Sequence, residues 1–251
     1  MDLPDAVIGK ATLISTFTIF TLFVIWVNSY TFFDNGKIYS ISKESQRSGT
    51  KMVNDWIVIG ISGVTCGGKT TLANRLRDAL VPVYVFHQDK YFLPDDSPKH
   101  VRCPGVEHNN YDILSALDMD KMHDDVLRTL RGETRAHAVD LEMAEGKWGV
   151  PGKSFLILEG FTVLNHRPLN ELCHLRYYFV LEYGECASRR ALRLYDPPDT
   201  AGYFEQCVWP EHLRFKAQIE KDSRVKMLDG TRPDAFEVVL KDLTESGASR
   251  L

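Results

Sequence analysis

"WIVIGISGVTCGGKTTLANRL", Trp56 to Leu76, decides the fold. A short β-branched run ends in glycines, and apolar residues then recur at Leu72, Leu76 and Leu80, the spacing of a helix face. Strand, glycine-rich loop and helix in that order are the context a phosphate loop requires. Gly63 to Thr70 matches G-x-x-x-x-G-K-[ST] at every defined position. Gly63, Gly67 and Gly68 allow a tight turn, so that backbone N–H groups of Val64, Thr65, Cys66 and their neighbours can ring a β-phosphate. The helix that opens at Lys69, Thr70 and Thr71 adds its positive end. Lys69 is placed to reach the β- and γ-phosphates, and the Thr70 hydroxyl to ligate Mg²⁺. The motif predicts ATP or another nucleoside triphosphate as donor. It does not separate GTPases, ATPases and small-molecule kinases.

Outward from the loop, strands and helices alternate. "VPVYVFHQD" (81–89), "SFLILEGF" (154–161), "LRYYFVLE" (175–182) and "RVKMLDG" (224–230) read as strands. "DILSALDMDKMHDDVLRTLRG" (112–132), "CASRRALRLYD" (186–196) and "RPDAFEVVLKDLTES" (232–246) read as helices, the first with Gly132 as its stop. The alternation predicts an α/β fold: a parallel sheet with helices on both faces, spanning one catalytic domain over residues 53–251.

Residues 1–33 stand apart. "ATLISTFTIFTLFVIWVNSYTFF", Ala11 to Phe33, has no charged residue and is long enough to cross a bilayer as a helix. Lys37, Lys43, Arg47 and Lys51 follow it, and this basic flank would keep the downstream chain cytosolic. The segment reads either as a membrane anchor or as an extension with no part in the chemistry. Residues 34–52, polar and rich in Ser, Gly and Lys, read as a linker. Hydrophobic content of 44% with 25% charged residues is globular, and a net charge of −4 with pI near 6.1 argues against nucleic-acid binding. Five scattered cysteines without a C-x-x-C pair suit reduced thiols and a cytoplasmic catalytic domain better than a disulfide framework or a zinc site. Nothing in the sequence fixes an oligomeric state.

In an open parallel sheet, ligands bind beyond the carboxyl ends of the strands. Asp89 and Glu159 both lie at such ends, and either could hold Mg²⁺ or accept the proton of an attacking hydroxyl. Glu159 occupies the Walker-B position, and its Glu-Gly ending resembles kinases of small metabolites. Asp89, on the strand after the phosphate-loop helix, lies closer to where an acceptor would sit, which favours it as the base. Arg189, Arg190 and Arg193 suit a lid that clamps phosphates, halted by Pro197 and Pro198.

In combination and order, the phosphate loop, "QDKYF" (88–92), "YDILSALDMDKM" (111–122), "ILEGF" (157–161) and "RRALRLYDPPDTAGYFEQCVWP" (189–210) resemble nicotinamide riboside kinases, from about Ile57 to the end. Uridine kinases share the loop and the carboxylate strand but differ where "NNYDILSALD" stands. The resemblance implies a P-loop kinase fold with a helical lid. It also implies ATP-dependent phosphorylation of the 5′-hydroxyl of nicotinamide riboside, and of nicotinic acid riboside, for NAD synthesis. By the same resemblance Asp89 is the proton acceptor near the metal. Lys90, Tyr91, Phe92, Tyr111 and Asp112 contact the riboside, and Arg190 lies nearest the acceptor. Arg189 and Arg193 contact ATP, Tyr195 and Asp196 border both ligands, and Arg232 and Asp234 close over the adenine. Lys90 departs from the family, which often has a second acid there, and Cys66 replaces a small polar residue. Two rivals remain: a uridine/cytidine kinase, and a membrane-tethered module that holds ATP without transferring phosphate.

Overall fold

The computed structural model describes residues 29–34, 37–42, 55–133 and 147–250, and the chain divides into two compact units, Met1–Thr50 and Lys51–Leu251. In the first unit, β1 (Ser29–Asp34) and β2 (Lys37–Ser42) pair antiparallel, with Asp34 opposite Lys37. This corrects two expectations. Residues 29–33 are strand rather than the end of an apolar helix, and residues 37–42 are strand rather than linker. Aromatic and β-branched residues on either side of Asn35-Gly36 carry a hairpin signal that the uncharged window from Ala11 masks. The rest of the anchor reading lies outside the described residues. Among the described residues, no helix is long and apolar enough to cross a membrane.

The second unit holds a five-stranded sheet of β3 (Trp56–Gly63), β4 (Val83–His87), β6 (Ser154–Glu159), β7 (Leu175–Val180) and β8 (Val225–Asp229). Their order is β4-β6-β3-β7-β8, every pair parallel. A separate short ladder joins β5 (Trp148–Gly149) to β9 (Ser249–Arg250). The helices are α1 (Lys69–Ala79), α2 (Met119–Leu130), α3 (Arg167–Leu172), α4 (Tyr183–Ala191), α5 (Trp209–Ile219) and α6 (Ala235–Glu245).

Alternation along the strands divides the core in two. Ile57, Ile59 and Ile61 of β3 join Phe155 and Ile157 of β6 and Tyr177 and Phe179 of β7 on the face covered by α1 and α6. Trp56, Val58, Leu156, Leu158 and Tyr178 point the other way, onto α2 and α3. Each such large apolar side chain contributes about 1.5–3 kcal/mol on burial. A sheet buried on both faces therefore needs the nearly unbroken apolar strands that the sequence shows.

The helix predicted from Asp112 begins later, at Met119. Asp118 caps α2, its side chain accepting from the Lys121 N–H at 3.0 Å, and the preceding residues form only a 3₁₀ turn, Leu114–Ala116. The basic helix also ends early, at Ala191, leaving Arg193 in the segment beyond it. Cys103 and Cys207, 104 residues apart, form a disulfide with Cα atoms 6.0 Å apart. This overturns the expectation of reduced cysteines at two of the five. They meet because the loop before Tyr111 packs on the helical turn Phe204–Val208, where Cys103, Tyr203 and Cys207 share a small core. Cys66, Cys173 and Cys186 are free.

Candidate active site

The loop after β3 takes its shape from bonds to its neighbours. The Gly63 N–H donates to Phe161 O at 3.3 Å and the Val64 N–H to Phe179 O at 3.0 Å, strapping the loop to the ends of β6 and β7. A Cβ on Gly63, at φ 118°, would lie 2.2 Å from Phe179 O. Gly63 and Val64 thus build the loop, and their N–H groups are already committed. Cys66 (φ 58°) and Gly68 (φ 100°) adopt left-handed conformations, the kind of turn that gathers N–H groups into an anion-binding concavity. The first turn of α1 adds N–H groups that have no partner inside the helix. A cavity of about 320 Å³ opens here, lined by Cys66 to Thr71 with Arg189 and Arg193.

The two strand-end carboxylates are positioned differently. Register places His87 beside Glu159. Glu159 is buried, meets His87 Nδ1 at 2.7 Å and accepts from the Thr70 hydroxyl at 3.1 Å. Burial works against its charge, but the His87 bond and the Lys69 ammonium hold its carboxyl below the ordinary value. Asp89 opens onto the cavity, where it is exposed, yet sits deep among protein atoms. That burial, with the Glu159 charge beside it, raises its carboxyl above the usual range despite Lys69.

The residues around Asp89 follow from one 3₁₀ turn, Gln88–Tyr91, in which positions three apart share a side. Gln88 points inward, donating to Thr162 Oγ1 at 2.9 Å and accepting from the Thr162 N–H at 3.1 Å. Tyr91 follows it, its hydroxyl donating to Asp125 of α2 at 3.2 Å. Asp89 and Phe92 face the cavity, and Lys90 faces solvent. Lys90 and Tyr91 therefore do not line the site as expected. Gly160 makes the arrangement possible, since a Cβ there would lie 2.2 Å from Gln88 Cβ and 2.3 Å from its Oε1. Gly160→Ala is expected to push Gln88 aside and Asp89 with it. Turnover should fall on the order of 10²-fold with a lower Tm, as steady-state kinetics and thermal melting would show.

A second cavity, of about 400 Å³, shares Lys69, Thr70 and Arg193 with the first and runs past Asp89 to Tyr111 and Asp112. Tyr203 organises its far end. Its hydroxyl accepts from the Tyr111 N–H at 2.9 Å and donates to Asp112 Oδ2 at 2.9 Å. Phe92 and His108 stand edge-on to the Tyr111 ring. Arg190 is buried, bidentate to Asp199 at 2.7 and 3.0 Å, and donates to Thr65 Oγ1 at 3.2 Å. Burial opposes its charge, but Asp199 and Asp112 keep it protonated. Tyr195 packs under its guanidinium at 4.3 Å, with its hydroxyl 3.3 Å from Thr65 Oγ1, and Asp196 lines the same wall.

Arg189 lies across the phosphate loop, donating to Cys66 O at 3.2 Å and Gly230 O at 3.0 Å. Arg232 and Asp234 pair with each other in the loop after β8 and line neither cavity. The structure therefore brings together Thr65, Lys69, Thr70, Asp89, Phe92, Tyr111, Asp112, Glu159, Arg190, Arg193, Tyr195 and Asp196. His108, Asp199 and Tyr203 also line the cavity, and His87 and Gln88 support it through Glu159 and Thr162, none of the five being singled out by the sequence pattern. Tyr203 and Asp199 lay inside the quoted lid segment, and His87 and Gln88 beside Asp89. Among the described residues, no three or more His, Cys, Asp or Glu side chains gather to hold a metal ion. Thr70, Glu159 and Asp89 offer hard oxygen donors of the kind that bind Mg²⁺ together with phosphate and water.

No model of a protein family matches the chain. It is 36% identical over 196 residues to nicotinamide riboside kinase 1 of Homo sapiens, covering 77% of this chain and 94% of that protein. It is 37% identical over 193 residues to nicotinamide riboside kinase 2 of Mus musculus, covering 74% and 95%. A uridine kinase of Clostridium novyi is 27% identical over 147 residues, covering 55% and 67%.

Proposed function

We propose that this chain, which belongs to the nicotinamide riboside kinase family, transfers the γ-phosphoryl group of ATP to the ribose 5′-hydroxyl of nicotinamide riboside. The product is the mononucleotide that feeds NAD synthesis. One observation carries the reading: a single cavity runs from Lys69 and Thr70, past Asp89, to Tyr111 and Asp112. Donor and acceptor can then lie in line, with the base between them. That continuity disfavours a module that binds ATP without transferring phosphate.

Asp89, made more basic by burial and by Glu159, accepts the proton of the attacking hydroxyl. Lys69 leaves the Val64 carbonyl, to which it donates at 2.8 Å, for the β- and γ-phosphate oxygens. Arg190, fixed by Asp199, and Arg193 from the lid meet the charge that develops on the transferred group. Thr70, Glu159 and Asp89 would hold Mg²⁺, which neutralises phosphate charge. Tyr111 offers an aromatic face to the pyridinium ring, and Asp112 a carboxylate to the ribose. Arg232 and Asp234 border the adenine beside Gly230.

The test is the full chain with Mg·ATP and a panel of nicotinamide riboside, nicotinic acid riboside, uridine and cytidine, read by nucleotide formation. Nicotinamide riboside is expected to give the highest kcat/KM. Phosphorylation of the pyrimidine nucleosides alone would turn the assignment to the uridine kinase alternative, which the 27% relative supports over only 55% of the chain.

A further inference from the structure

The wall that carries Tyr111 and Asp112 is irregular chain. Residues 93–113 contain no helix or strand, only turns and an isolated bridge between Arg102 and Asn109. Inside this loop the Asn110 N–H donates to Val101 O at 2.7 Å and the Cys103 N–H to His108 O at 2.9 Å. These bonds give the loop a shape but do not tie it to the sheet. Yet Asp95, His108, Tyr111 and Asp112, all from this stretch, line the acceptor cavity.

The loop is fastened across the chain, to the turn Phe204–Val208 and the start of α5. The Tyr203 hydroxyl bonds the Tyr111 N–H and the Asp112 carboxylate, and Asn110 Nδ2 donates to Glu211 Oε1 at 3.1 Å. The His108 ring packs on Tyr203 with centroids 4.4 Å apart. Cys103 is bonded to Cys207 within a small core that also holds Val106, Tyr203 and Val208. Cys207 lies about one helical turn beyond Tyr203, so a bond at Cys207 fixes where the Tyr203 hydroxyl sits. The phosphate cavity takes its lining from Cys66 to Thr71, Arg189 and Arg193, none of them in either segment.

We propose that Cys103 and Cys207 are positioning residues for the acceptor: their disulfide holds Tyr203 against Tyr111 and Asp112, and its exchange to two thiols weakens riboside binding while leaving the ATP side unchanged. The inference rests on the riboside kinase reading and adds a control to it. The disulfide is covalent, whereas the other fastenings are hydrogen bonds of small net worth that water can replace. In a reducing compartment a disulfide is more often transient than structural. Exchange needs a dithiol: its thiolate attacks one sulfur to give a mixed disulfide, and its second thiol then closes the reagent's own disulfide. Two electrons and two protons thereby pass to Cys103 and Cys207. The pair is 3% and 1% exposed, so the loop must part from the turn before attack. Bound riboside holds the two together. By reciprocity, whatever factor the disulfide adds to riboside affinity, riboside adds to the preference for disulfide over thiols.

Prepare the full chain oxidised and, separately, reduced with dithiothreitol, and count free thiols by alkylation and mass spectrometry. The oxidised form should be alkylated at Cys66, Cys173 and Cys186 alone. Reduction should raise KM for nicotinamide riboside by roughly tenfold, with kcat and KM for ATP within about twofold. The double variant Cys103→Ser, Cys207→Ser should match reduced wild type and no longer respond to dithiothreitol. In a dithiothreitol redox buffer, saturating riboside should shift the balance toward the disulfide by the same factor, and ATP should not. A riboside KM indifferent to the bond, or a parallel loss of kcat or ATP affinity, would overturn the inference while leaving a riboside kinase in place. Alkylation of all five cysteines after oxidation would overturn it as well. Failure of both forms to phosphorylate the riboside would instead defeat the underlying reading, and the inference with it. Wild type with and without reductant decides the matter even if the double variant does not fold.

Discussion

Asp89→Asn is expected to lower kcat by roughly 10²–10⁴-fold, the range a positioned general base supplies. ATP binding, measured by calorimetry, should stay within a few fold of wild type. The phosphate cavity is formed by the loop, Arg189 and Arg193, and Asp89 does not line it. Burial and the neighbouring Glu159 charge raise the Asp89 carboxyl above its ordinary value, against the pull of Lys69. The base works only when deprotonated, so kcat/KM for Mg·ATP, which reports the metal-free enzyme, should fall as pH drops, along a one-proton limb lying above the usual carboxylate range. That limb should be missing from the residual activity of the variant. Stability should move the opposite way. An acid whose pKa is raised by folding disfavours the folded state at pH values above that pKa, where its charge must be kept in the protein. Removing the charge is therefore expected to leave Tm at or above the wild-type value near neutral pH. A variant that kept near-normal kcat, or that lost activity only by unfolding, would remove Asp89 as the base.

The sequence made some of this site visible and concealed the rest, and the difference is one of distance along the chain. Lys69 and Thr70 were legible because loop, strand and helix are contiguous. Asp89 and Glu159 were legible because a parallel sheet presents its strand ends to one crevice. Lys90 and Tyr91 turn away from the cavity because their directions depend on a 3₁₀ turn of four residues, and residue type does not reveal which side of a turn faces a cavity. Gln88 and Gly160 are neighbours only after β4 pairs with β6. Tyr203 reaches Asp112 across 91 positions, and Cys103 reaches Cys207 across 104. No local periodicity records either meeting. At the N-terminal end, the uncharged apolar window from Ala11 reads as helix, whereas Ser29–Asp34 and Lys37–Ser42 pair as strands.

Lys69→Ala should be nearly as damaging, and in a different way. Lys69 is 9% exposed, and its ammonium donates to Val64 O at 2.8 Å. Burial lowers its pKa, and Glu159 and Asp89 oppose that shift and favour the charged form. Its tie to a backbone carbonyl satisfies the charge while no phosphate is bound, and it can be exchanged for phosphate oxygens with little movement of the loop. Truncation removes a charged donor from the point where negative charge gathers during transfer. The loss of one such donor costs about 10²–10³-fold in kcat. Because the ground-state phosphates use the same group, KM for ATP should rise as well, unlike in Asp89→Asn. Lys69→Arg is not expected to restore activity, since a planar fork cannot take the place of a compact ammonium inside a closed loop. The fold should survive, because the Gly63 and Val64 straps to Phe161 and Phe179 do not involve the side chain. Steady-state kinetics with ATP varied, alongside thermal melting, separate these effects. A Lys69→Ala enzyme within tenfold of wild-type kcat would mean that Arg190, Arg193 and Mg²⁺ carry the transition-state charge without Lys69, and the division of labour between loop and lid would have to be redrawn.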